Sequence, residues 1–337
     1  MNNGVTISWD DETGSICLID QTRLPTEYQI VHCRTVPRLV EAIKRLEVRG
    51  APALGIAGGF GVALAALNSA EKDLSRFLAD VRSQADLIRL TRPTAVNLSW
   101  GISRVLAVTE TASDADSARH AALAEAKALA DEDALKCREI GRIGAALLPD
   151  ICTVLTHCNA GALACREWGT ALGVIRSAVD CGKKVHVIAC ETRPLFQGAR
   201  LTAWELQRDG IDVKVVTDSC AAFLMQQGTI DFVIVGADRI TRDAVFNKIG
   251  TYMHAVCAGY HGIPFYVAAP CSSFDAVHSA REVVIEERER DEIACCGRTV
   301  TMPAGVPALN YAFDRTPMSL VSAVICETGV LRPPIDI

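Results

Sequence analysis

Residues 183–206, KKVHVIACETRPLFQGARLTAWEL, place a short β-branched run, a dense polar turn and a helical stretch in direct succession. Similar apolar runs recur along the second half of the chain, and longer helical stretches separate them. The runs are Val154-Leu155, Val185–Ala189, Val213–Val216, Phe232–Val235 and Phe265–Ala268. This rhythm is typical of right-handed βαβ crossovers. It predicts an α/β protein whose C-terminal domain contains a Rossmann-like parallel sheet.

The first third of the chain has a different pattern. Residues 5–8 and 15–19 are β-prone and flank a turn-rich stretch, which predicts an opening β-hairpin. Helices are predicted where apolar residues recur at three-to-four spacing, over residues 36–46, 54–67, 74–87 and 100–109. The polar stretch TASDAD, residues 111–116, precedes a long Ala-rich helix. We therefore expect a smaller, mainly helical N-terminal domain at 1–116 and a Rossmann-like catalytic domain at 117–337.

The composition narrows the class of protein. Lys and Arg number 34 against 40 Asp and Glu, a net charge of −6, so no basic stripe is available for a nucleic-acid partner. Half of the residues are hydrophobic, which favours extra buried surface in an oligomer. The longest apolar run, residues 51–67, contains four glycines and is short for a membrane span. It predicts a buried helix, and no membrane partner is expected.

The chain contains 14 cysteines, too few for a disulfide scaffold of this length. Neither CxxC nor HExxH occurs, and no Cys/His cluster has the spacing of a zinc site, so no metal is expected. The N-terminal residues lack the pattern of a secretory signal, which predicts a cytoplasmic protein with reduced thiols.

Chemistry is expected just beyond the strands, because open parallel sheets bind ligands outside their carboxyl ends. Cys158 follows the first strand and precedes small residues that predict a helix start. Backbone N–H groups at such a start bind anions and lower the pKa of a thiol, so Cys158 is a candidate base or nucleophile. The alternative is an inert buried cysteine.

Polar residues also follow the second and fourth strands. Gln197 belongs to the cluster ETRPLFQGAR, whose guanidinium and amide groups suit a phosphate or sugar hydroxyls, although Glu191 and Arg193 fit a structural ion pair equally well. Asp238 leaves its strand through a small-residue turn, and a carboxylate desolvated there becomes an acid. An N-cap is its alternative role, and Lys248 fits either solvated surface or a phosphate ligand.

Two arginines stand out in the N-terminal domain. Arg49 and Arg92 each lie beside a small or rigid turn at the start of an apolar helix, in RGAPALG and RPTAVNL. Two such guanidiniums suit a phosphate clamp. Ordinary charge at a helix start is the alternative.

The stretches RGAPALG, RPTAVNL, THCNAGALA, ETRPLFQGARLTAWEL, GADRI and NKIGTY occur in this order along almost the whole chain. Together they resemble the methylthioribose-1-phosphate isomerase family. That family shares its fold with archaeal ribose-1,5-bisphosphate isomerase and with regulatory subunits of the guanine nucleotide exchange factor of eukaryotic translation initiation. The fold alone therefore does not fix the function.

The resemblance implies that 5-methylthioribose 1-phosphate is converted to 5-methylthioribulose 1-phosphate in methionine salvage, without metal or organic cofactor, by a homodimer. It assigns catalysis to Cys158 and Asp238. It assigns substrate binding to Arg49, Gly50, Ala51, Arg92, Gln197, Asn247 and Lys248. 5-Deoxyribose 1-phosphate is a possible second substrate. The alternatives are a ribose-1,5-bisphosphate isomerase and a non-catalytic sugar-phosphate or nucleotide sensor; a nicotinamide enzyme is disfavoured because GxGxxG is absent.

The expected chemistry needs two opposite protonation states. In our hypothesis Asp238 protonates the ring oxygen while the Cys158 thiolate removes the proton on C2; a hydride shift is the competing route. At a reference pKa near 3.9, about 0.1% of Asp is protonated at pH 7, so the acid needs a pKa higher by about three, or about 4 kcal/mol. The two side chains must therefore have different surroundings.

Overall fold

The computed structural model describes residues 5–297 and 299–335. The chain divides into two compact units. Unit 1 runs to Glu139 and also contains Gly161–Gly173; unit 2 contains Ile140–Ala160 and the chain from Val174 onward. The division between the units therefore does not lie at the predicted boundary, residue 116.

Unit 1 opens with a small antiparallel sheet. Its strands are β1 (Ile7–Asp10), β2 (Ser15–Ile19) and β3 (Ile30–Cys33). The predicted hairpin corresponds to β1 and β2. The sequence pattern did not predict β3, since its residues IVHC do not alternate between apolar and polar.

Helices occupy the predicted segments of unit 1. They are α1 (Val36–Lys44), α2 (Ala51–Asn68), α3 (Leu74–Arg89) and α4 (Val96–Thr109). The side chains of Thr35 and Asp73 cap α1 and α3 by accepting hydrogen bonds from backbone N–H groups. Helix α2 begins earlier than predicted because Pro52 lies in its first turn, where a missing N–H costs nothing.

Helix α2 is the central helix of unit 1. Within the described residues it is the one helix long and apolar enough to cross a membrane, but most of it is buried in the core. It approaches α4 closely: a Cβ atom on Gly101 would lie 2.0 Å from the carbonyl oxygen of Gly55. The predicted buried helix is therefore the core of this unit.

The long helix α5 (Ala115–Ala145) explains where the units divide. The buried apolar residues in its N-terminal half belong to the same core cluster as α2: Ala118, Ala122, Ala126, Leu129 and Ala130. Residues 117–139 therefore belong to unit 1, whereas the sequence pattern assigned them to the second domain. The polar stretch at residues 111–116 connects α4 to α5 and is not a domain junction.

Unit 2 contains the remaining strands. In chain order they are β4 (Ile151–Thr156), β5 (Lys184–Cys190), β6 (Val213–Val216), β7 (Phe232–Val235), β8 (Arg239–Ile240), β9 (Ala244–Lys248), β10 (Phe265–Ala268), β11 (Cys295–Cys296), β12 (Thr299–Val300), β13 (Phe313–Pro317), β14 (Ala323–Cys326) and β15 (Gly329–Leu331). Its α-helices are α6 (Ala171–Asp180), which belongs to this unit from Val174 onward, α7 (Ala203–Arg208), α8 (Cys220–Gln226), α9 (Thr251–His261) and α10 (Asp291–Ala294).

The main sheet confirms the predicted Rossmann-like class. Among the described residues it has seven strands in the order β15-β14-β10-β7-β4-β5-β6, and only β15 runs antiparallel to its neighbour. From β4 the chain proceeds to β5 and β6 on one side, then to β7, β10 and β14 on the other. The strand order thus reverses between β4 and β7, where doubly wound sheets bind their ligands.

A second, smaller sheet follows β7. Strand β9 pairs antiparallel with both β8 and β13. The tight turn between β8 and β9 brings the chain back beside residue 238, whose backbone N–H donates to the carbonyl oxygen of Phe246 at 2.9 Å.

The prediction of a helix start directly after Cys158 is wrong. The next regular element is a single 3-10 turn, Ala162–Ala164, and α6 begins only at Ala171. Cys158 itself has a positive φ of 64°, and Gly161 is extended with φ −98° and ψ −163°, conformations that do not start a right-handed helix. The anion-binding N–H groups expected beside the thiol therefore do not come from a helix that follows it.

Candidate active site

Cys158 and Asp238 follow the two strands between which the sheet order reverses. Strands β4 and β7 are parallel neighbours, with Leu155 opposite Val233. Cys158 comes two residues after the end of β4, and Asp238 three residues after the end of β7. Both residues therefore leave the same edge of the sheet on either side of the switch point.

The backbone of Cys158 is fixed from two sides. Its N–H donates to Oγ1 of Thr192 at 2.8 Å, and its carbonyl oxygen accepts a hydrogen bond from Oγ1 of Thr202 at 2.7 Å. The residue is buried and has a φ of 64°. A positive φ is costly for a residue with a Cβ atom, so these two threonines stabilise a strained position.

The loop after β5 is equally constrained. The carboxylate of Asp218 accepts hydrogen bonds from the backbone N–H groups of Thr192 and Arg193, at 2.8 and 2.7 Å. A Cβ atom on Gly198 would lie 1.7 Å from the carbonyl oxygen of Cys190, so only glycine fits there. The hydroxyl that holds Cys158 is thereby part of a rigid support.

Gln197 lies in the same loop and is buried. Its Oε1 atom has no hydrogen-bond partner within the described part of the chain. Leaving a buried acceptor unpaired costs about 1–3 kcal/mol. Such an oxygen suits a ligand that donates a hydrogen bond, as a sugar hydroxyl does.

Asp238 is half-buried between β7 and β8. The adjacent Arg239 forms an ion pair with Asp275, with Nη1 and Oδ2 3.3 Å apart.

Asn247 and Lys248 are both buried in β9. Nδ2 of Asn247 donates to Oγ1 of Thr251 at 3.0 Å. Nζ of Lys248 donates to the carbonyl oxygen of Ala312 at 2.7 Å and lies 4.7 Å from the centre of the Phe313 ring. The solvated-surface alternative for Lys248 is therefore wrong.

The other predicted binding residues belong to unit 1. Arg49 is buried, and its Nε donates to Oε1 of Gln21 at 3.0 Å. Gly50 caps α2 with a φ of 89°, and a Cβ atom there would lie 2.5 Å from Cα of Ala164. Ala51 is the first residue of α2. Arg92 is half-buried in the turn that leads into α4.

Two buried histidines, His157 and His254, lie near Cys158, and no sequence pattern pointed to them. Nε2 of His157 lies 2.8 Å from the carbonyl oxygen of Ile249, and its Nδ1 lies 3.2 Å from Nε2 of His254. Burial lowers the pKa of His157 to about 4 and that of His254 to about 3. Both rings are therefore neutral near pH 7. The two residues are 97 positions apart, so no local spacing could have indicated the contact.

The model of the Initiation factor 2 subunit family matches residues 47–333. The chain belongs to this family. A methylthioribose-1-phosphate isomerase of Heliobacterium modesticaldum is 51% identical over 333 residues, 98% of this chain and 96% of the relative. A 5-deoxyribose 1-phosphate isomerase of Moorella thermoacetica is 49% identical over 332 residues, 97% of this chain and 94% of the relative. These relatives confirm the resemblance seen in the sequence.

Solved structures of the family are similar to this chain over nearly their whole length. The 5-methylthioribose 1-phosphate isomerase of Pyrococcus horikoshii OT3 has a TM-score of 0.90 and 42% identity, covering 98% of this chain and 93% of that one. An A. fulgidus protein described as translation initiation factor eIF-2B, subunit delta, has a TM-score of 0.87 and 52% identity, covering 98% and 96%. The shared fold thus includes proteins named for different roles, and the site must decide between them.

Proposed function

We propose that the protein is an aldose–ketose isomerase that converts 5-methylthioribose 1-phosphate to 5-methylthioribulose 1-phosphate, and that it also accepts 5-deoxyribose 1-phosphate. The observation that carries the proposal is the position of Cys158 and Asp238 on either side of the switch point. A thiol and a carboxyl group held there can exchange protons with one bound sugar. The names of the relatives supply the substrate class.

The chemistry follows from the substrate. A sugar whose anomeric oxygen is phosphorylated cannot open its ring as a free aldose does, so opening needs a proton on the ring oxygen. The proton on C2 must then reach C1. Asp238 supplies the first proton. The bond between C1 and the ring oxygen breaks, and the Cys158 thiolate removes the second proton from C2, giving an enediol phosphate. The thiol returns this proton to C1 while the C2 hydroxyl gives its proton back to the Asp238 carboxylate and becomes the ketone; a direct hydride shift is the competing route.

Binding is assigned to two sets of residues. Gln197 receives a sugar hydroxyl on its unpaired oxygen, and the buried ammonium of Lys248 together with Asn247 supplies further polar contacts. Arg49, Arg92 and the first turn of α2 at Gly50 and Ala51 bind the phosphate, for which guanidinium forks and helix N-termini are suited. The methylthio group contributes little discrimination, since one apolar group typically changes specificity by about 1–3 kcal/mol.

A homodimer is part of the proposal. Helix α9 exposes apolar side chains along one face, at Tyr252, Met253, Val256 and Tyr260. A second copy of the chain would bury them. Light scattering after gel filtration should give the mass of a dimer for the wild-type protein. The variant Val256→Glu should have the mass of a monomer. The control variant Leu135→Glu, at an exposed apolar residue of α5, should remain a dimer. A monomeric wild-type protein would contradict this part.

We also propose a cytoplasmic location, because fourteen free cysteines suit a reducing compartment.

The test is conversion of defined sugars. Purified protein is incubated with 5-methylthioribose 1-phosphate, 5-deoxyribose 1-phosphate and ribose 1,5-bisphosphate, and ketose appearance is followed by NMR. Rapid conversion of the first two is expected. Preferred turnover of the bisphosphate would favour the ribose-1,5-bisphosphate isomerase alternative, and no turnover would favour a regulatory subunit, as the name of the A. fulgidus protein suggests.

Variants assign the roles. Cys158→Ser and Asp238→Asn should each lower kcat by at least about 100-fold, the lower range of general acid–base contributions. Cys152→Ser, at a buried cysteine near the start of β4, should retain wild-type kcat. Near wild-type turnover in both active-site variants would show that this pair does not carry the reaction.

A further inference from the structure

Four potential metal ligands from distant parts of unit 2 converge beside the active-site loop. They are His157, which precedes Cys158; Cys190, the last residue of β5; Asp218, which precedes α8; and His254 in α9. Each offers one ligand atom, and these atoms all lie within 4.8 Å of one another. Cys190 and both histidines are buried, and Asp218 is half-buried. Because the four residues are far apart along the chain, a search of the sequence for zinc-like spacing does not find this cluster.

We propose that His157, Cys190, Asp218 and His254 form a binding site for a single Zn²⁺ ion. Two imidazoles, a thiolate and a carboxylate are a donor set that suits tetrahedral zinc. With bond lengths of about 2.0–2.3 Å, the ligand atoms of a tetrahedral site are about 3.3–3.6 Å apart. Nδ1 of His157 lies 3.2 Å from Nε2 of His254 and 3.8 Å from Oδ1 of Asp218, close to these spacings, and no two of the ligand atoms are more than 4.8 Å apart.

His157 already has the tautomer that a metal ligand needs. The carbonyl oxygen of Ile249 can only accept, so Nε2 of His157 carries the hydrogen and Nδ1 presents a lone pair. A hydrogen bond from the outer nitrogen of a histidine to a carbonyl is the usual orienting contact in metal sites. Gly250 permits it, since a Cβ atom there would lie 3.0 Å from Nε2 of the ring.

The charges and protons of the site balance. Zn²⁺ with one thiolate and one carboxylate is neutral overall, which favours its burial. Without metal, Nε2 of His254 must donate its hydrogen to Nδ1 of His157. On binding, that hydrogen moves to Nδ1 of His254, so the ring stays neutral, and the Cys190 thiol loses one proton to solvent as its sulfur binds the ion. No electron is transferred, and no co-reactant is needed.

The ion would act as a support for the active-site loops. The carboxylate of Asp218 also accepts a hydrogen bond from the backbone N–H of Thr192, and the hydroxyl of Thr192 accepts one from the backbone N–H of Cys158. The four ligands would therefore join the end of β4, the end of β5, the segment before α8 and helix α9. They are positioning residues, and no step of the proposed isomerisation runs through the ion.

The test measures metal binding directly. Full-length protein is stripped with a chelator and titrated with Zn²⁺ by calorimetry in two buffers of different ionisation enthalpy. One ion and one released proton per chain are expected. Co²⁺ is then used as a spectroscopic probe. We expect a thiolate-to-cobalt charge-transfer band and the strong visible absorption bands that distinguish tetrahedral from octahedral Co²⁺.

Variants localise the site. Cys190→Ser should remove the charge-transfer band, and His254→Gln should weaken Zn²⁺ binding by more than the 10–100-fold that loss of an outer contact typically costs. Cys181→Ser, at an exposed cysteine, and His261→Gln, in the last turn of α9, are the matched controls and should bind as the wild type does. Circular dichroism and the Tm of each stripped variant verify folding.

Two results would overturn the proposal. One is stripped protein that takes up neither Zn²⁺ nor Co²⁺. The other is an unchanged thiolate band in Cys190→Ser that disappears in Cys165→Ser, which would move the ion to the buried Asp133, Cys137 and Cys165 group of unit 1. Because neither readout uses turnover, a failure here is distinguishable from a failure of the proposed isomerase activity.

Discussion

Thr192 Oγ1 accepts a hydrogen bond from the backbone N–H of Cys158 at 2.8 Å and donates one to the carbonyl oxygen of Cys190 at 3.0 Å. One hydroxyl thus joins the ends of two neighbouring strands. It holds the thiol in a backbone conformation that the residue would not otherwise adopt.

Thr192→Val should therefore impair both stability and catalysis. The substitution leaves a buried N–H and a buried carbonyl without their partner, which costs about 1–3 kcal/mol of the free energy of unfolding. We expect kcat to fall with little change in KM, because the thiol moves while the binding groups remain. Urea unfolding and steady-state kinetics measure the two effects. Thr192→Ser keeps the hydroxyl and should stay close to wild type; equal losses in both variants would show that the hydroxyl is not what positions Cys158.

Gln197→Met should separate stability from binding. It removes the buried unpaired Oε1 while preserving the shape of the side chain. We expect the free energy of unfolding to change by less than about 1 kcal/mol, since no protein hydrogen bond to that oxygen is lost. The KM for 5-methylthioribose 1-phosphate should rise about tenfold, equivalent to about 1.4 kcal/mol. An unchanged KM would remove Gln197 from the substrate contacts.

Gly50→Ala tests the close approach at the start of α2. The new Cβ atom would lie 2.5 Å from Cα of Ala164, at a φ of 89°. Steric overlap and backbone strain should together lower the free energy of unfolding by about 3 kcal/mol. Gly14→Ala is the matched control, because its φ is 59° but nothing lies within 4 Å of the added atom. It should cost about 1 kcal/mol, and similar losses for both variants would refute the steric explanation.

The buried histidines should make stability depend on pH. Burial holds the pKa of His157 at about 4 and that of His254 at about 3, below the ordinary value of 6.5. As pH falls below 6.5, the unfolded chain binds these protons before the folded chain does, so their contribution is complete above that pH and is lost on acidification. The charge of Lys248 also lowers the pKa of His157, whereas that of Asp218 raises the pKa of His254.

When the pH of chelator-treated protein is lowered from 7.5 to 5, each of the two imidazoles should reduce the free energy of unfolding by about 2 kcal/mol. His254→Leu should halve this loss, whereas His261→Leu should leave it intact. Urea unfolding at several pH values measures the slopes. If wild type and His254→Leu had the same slope, the pair would not be the source of the dependence.

The strand rhythm predicted the parallel sheet because buried parallel strands must be short, apolar and β-branched, and β5, β7 and β10 are of this kind. It also directed attention to Cys158 and Asp238, since ligands bind at the carboxyl ends of such strands. The strands β14 and β15 escaped prediction, because β13 and a short 3-10 turn precede β14 instead of a crossover helix.

What the sequence could not predict depends on distant contacts. The group of His157, Cys190, Asp218 and His254 comes from four segments, and each residue by itself has the pattern of an ordinary core or turn residue. The expected helix after Cys158 failed for a local reason, the left-handed backbone of Cys158 and the extended backbone of Gly161. The thiol is supported by threonine hydroxyls, and neither threonine has a distinctive spacing from it.

Unit 1 is not a contiguous piece of polypeptide. Its residues 161–173 follow a stretch of unit 2, and their carbonyl groups accept hydrogen bonds from Thr6 and Gln21 near the start of the chain. A fragment cut after Glu139 would lose those acceptors, and a fragment begun at Ile140 would carry them without their donors. Expression of either half alone should therefore yield material that is prone to proteolysis, and the gene cannot be divided by a single cut into two self-sufficient parts.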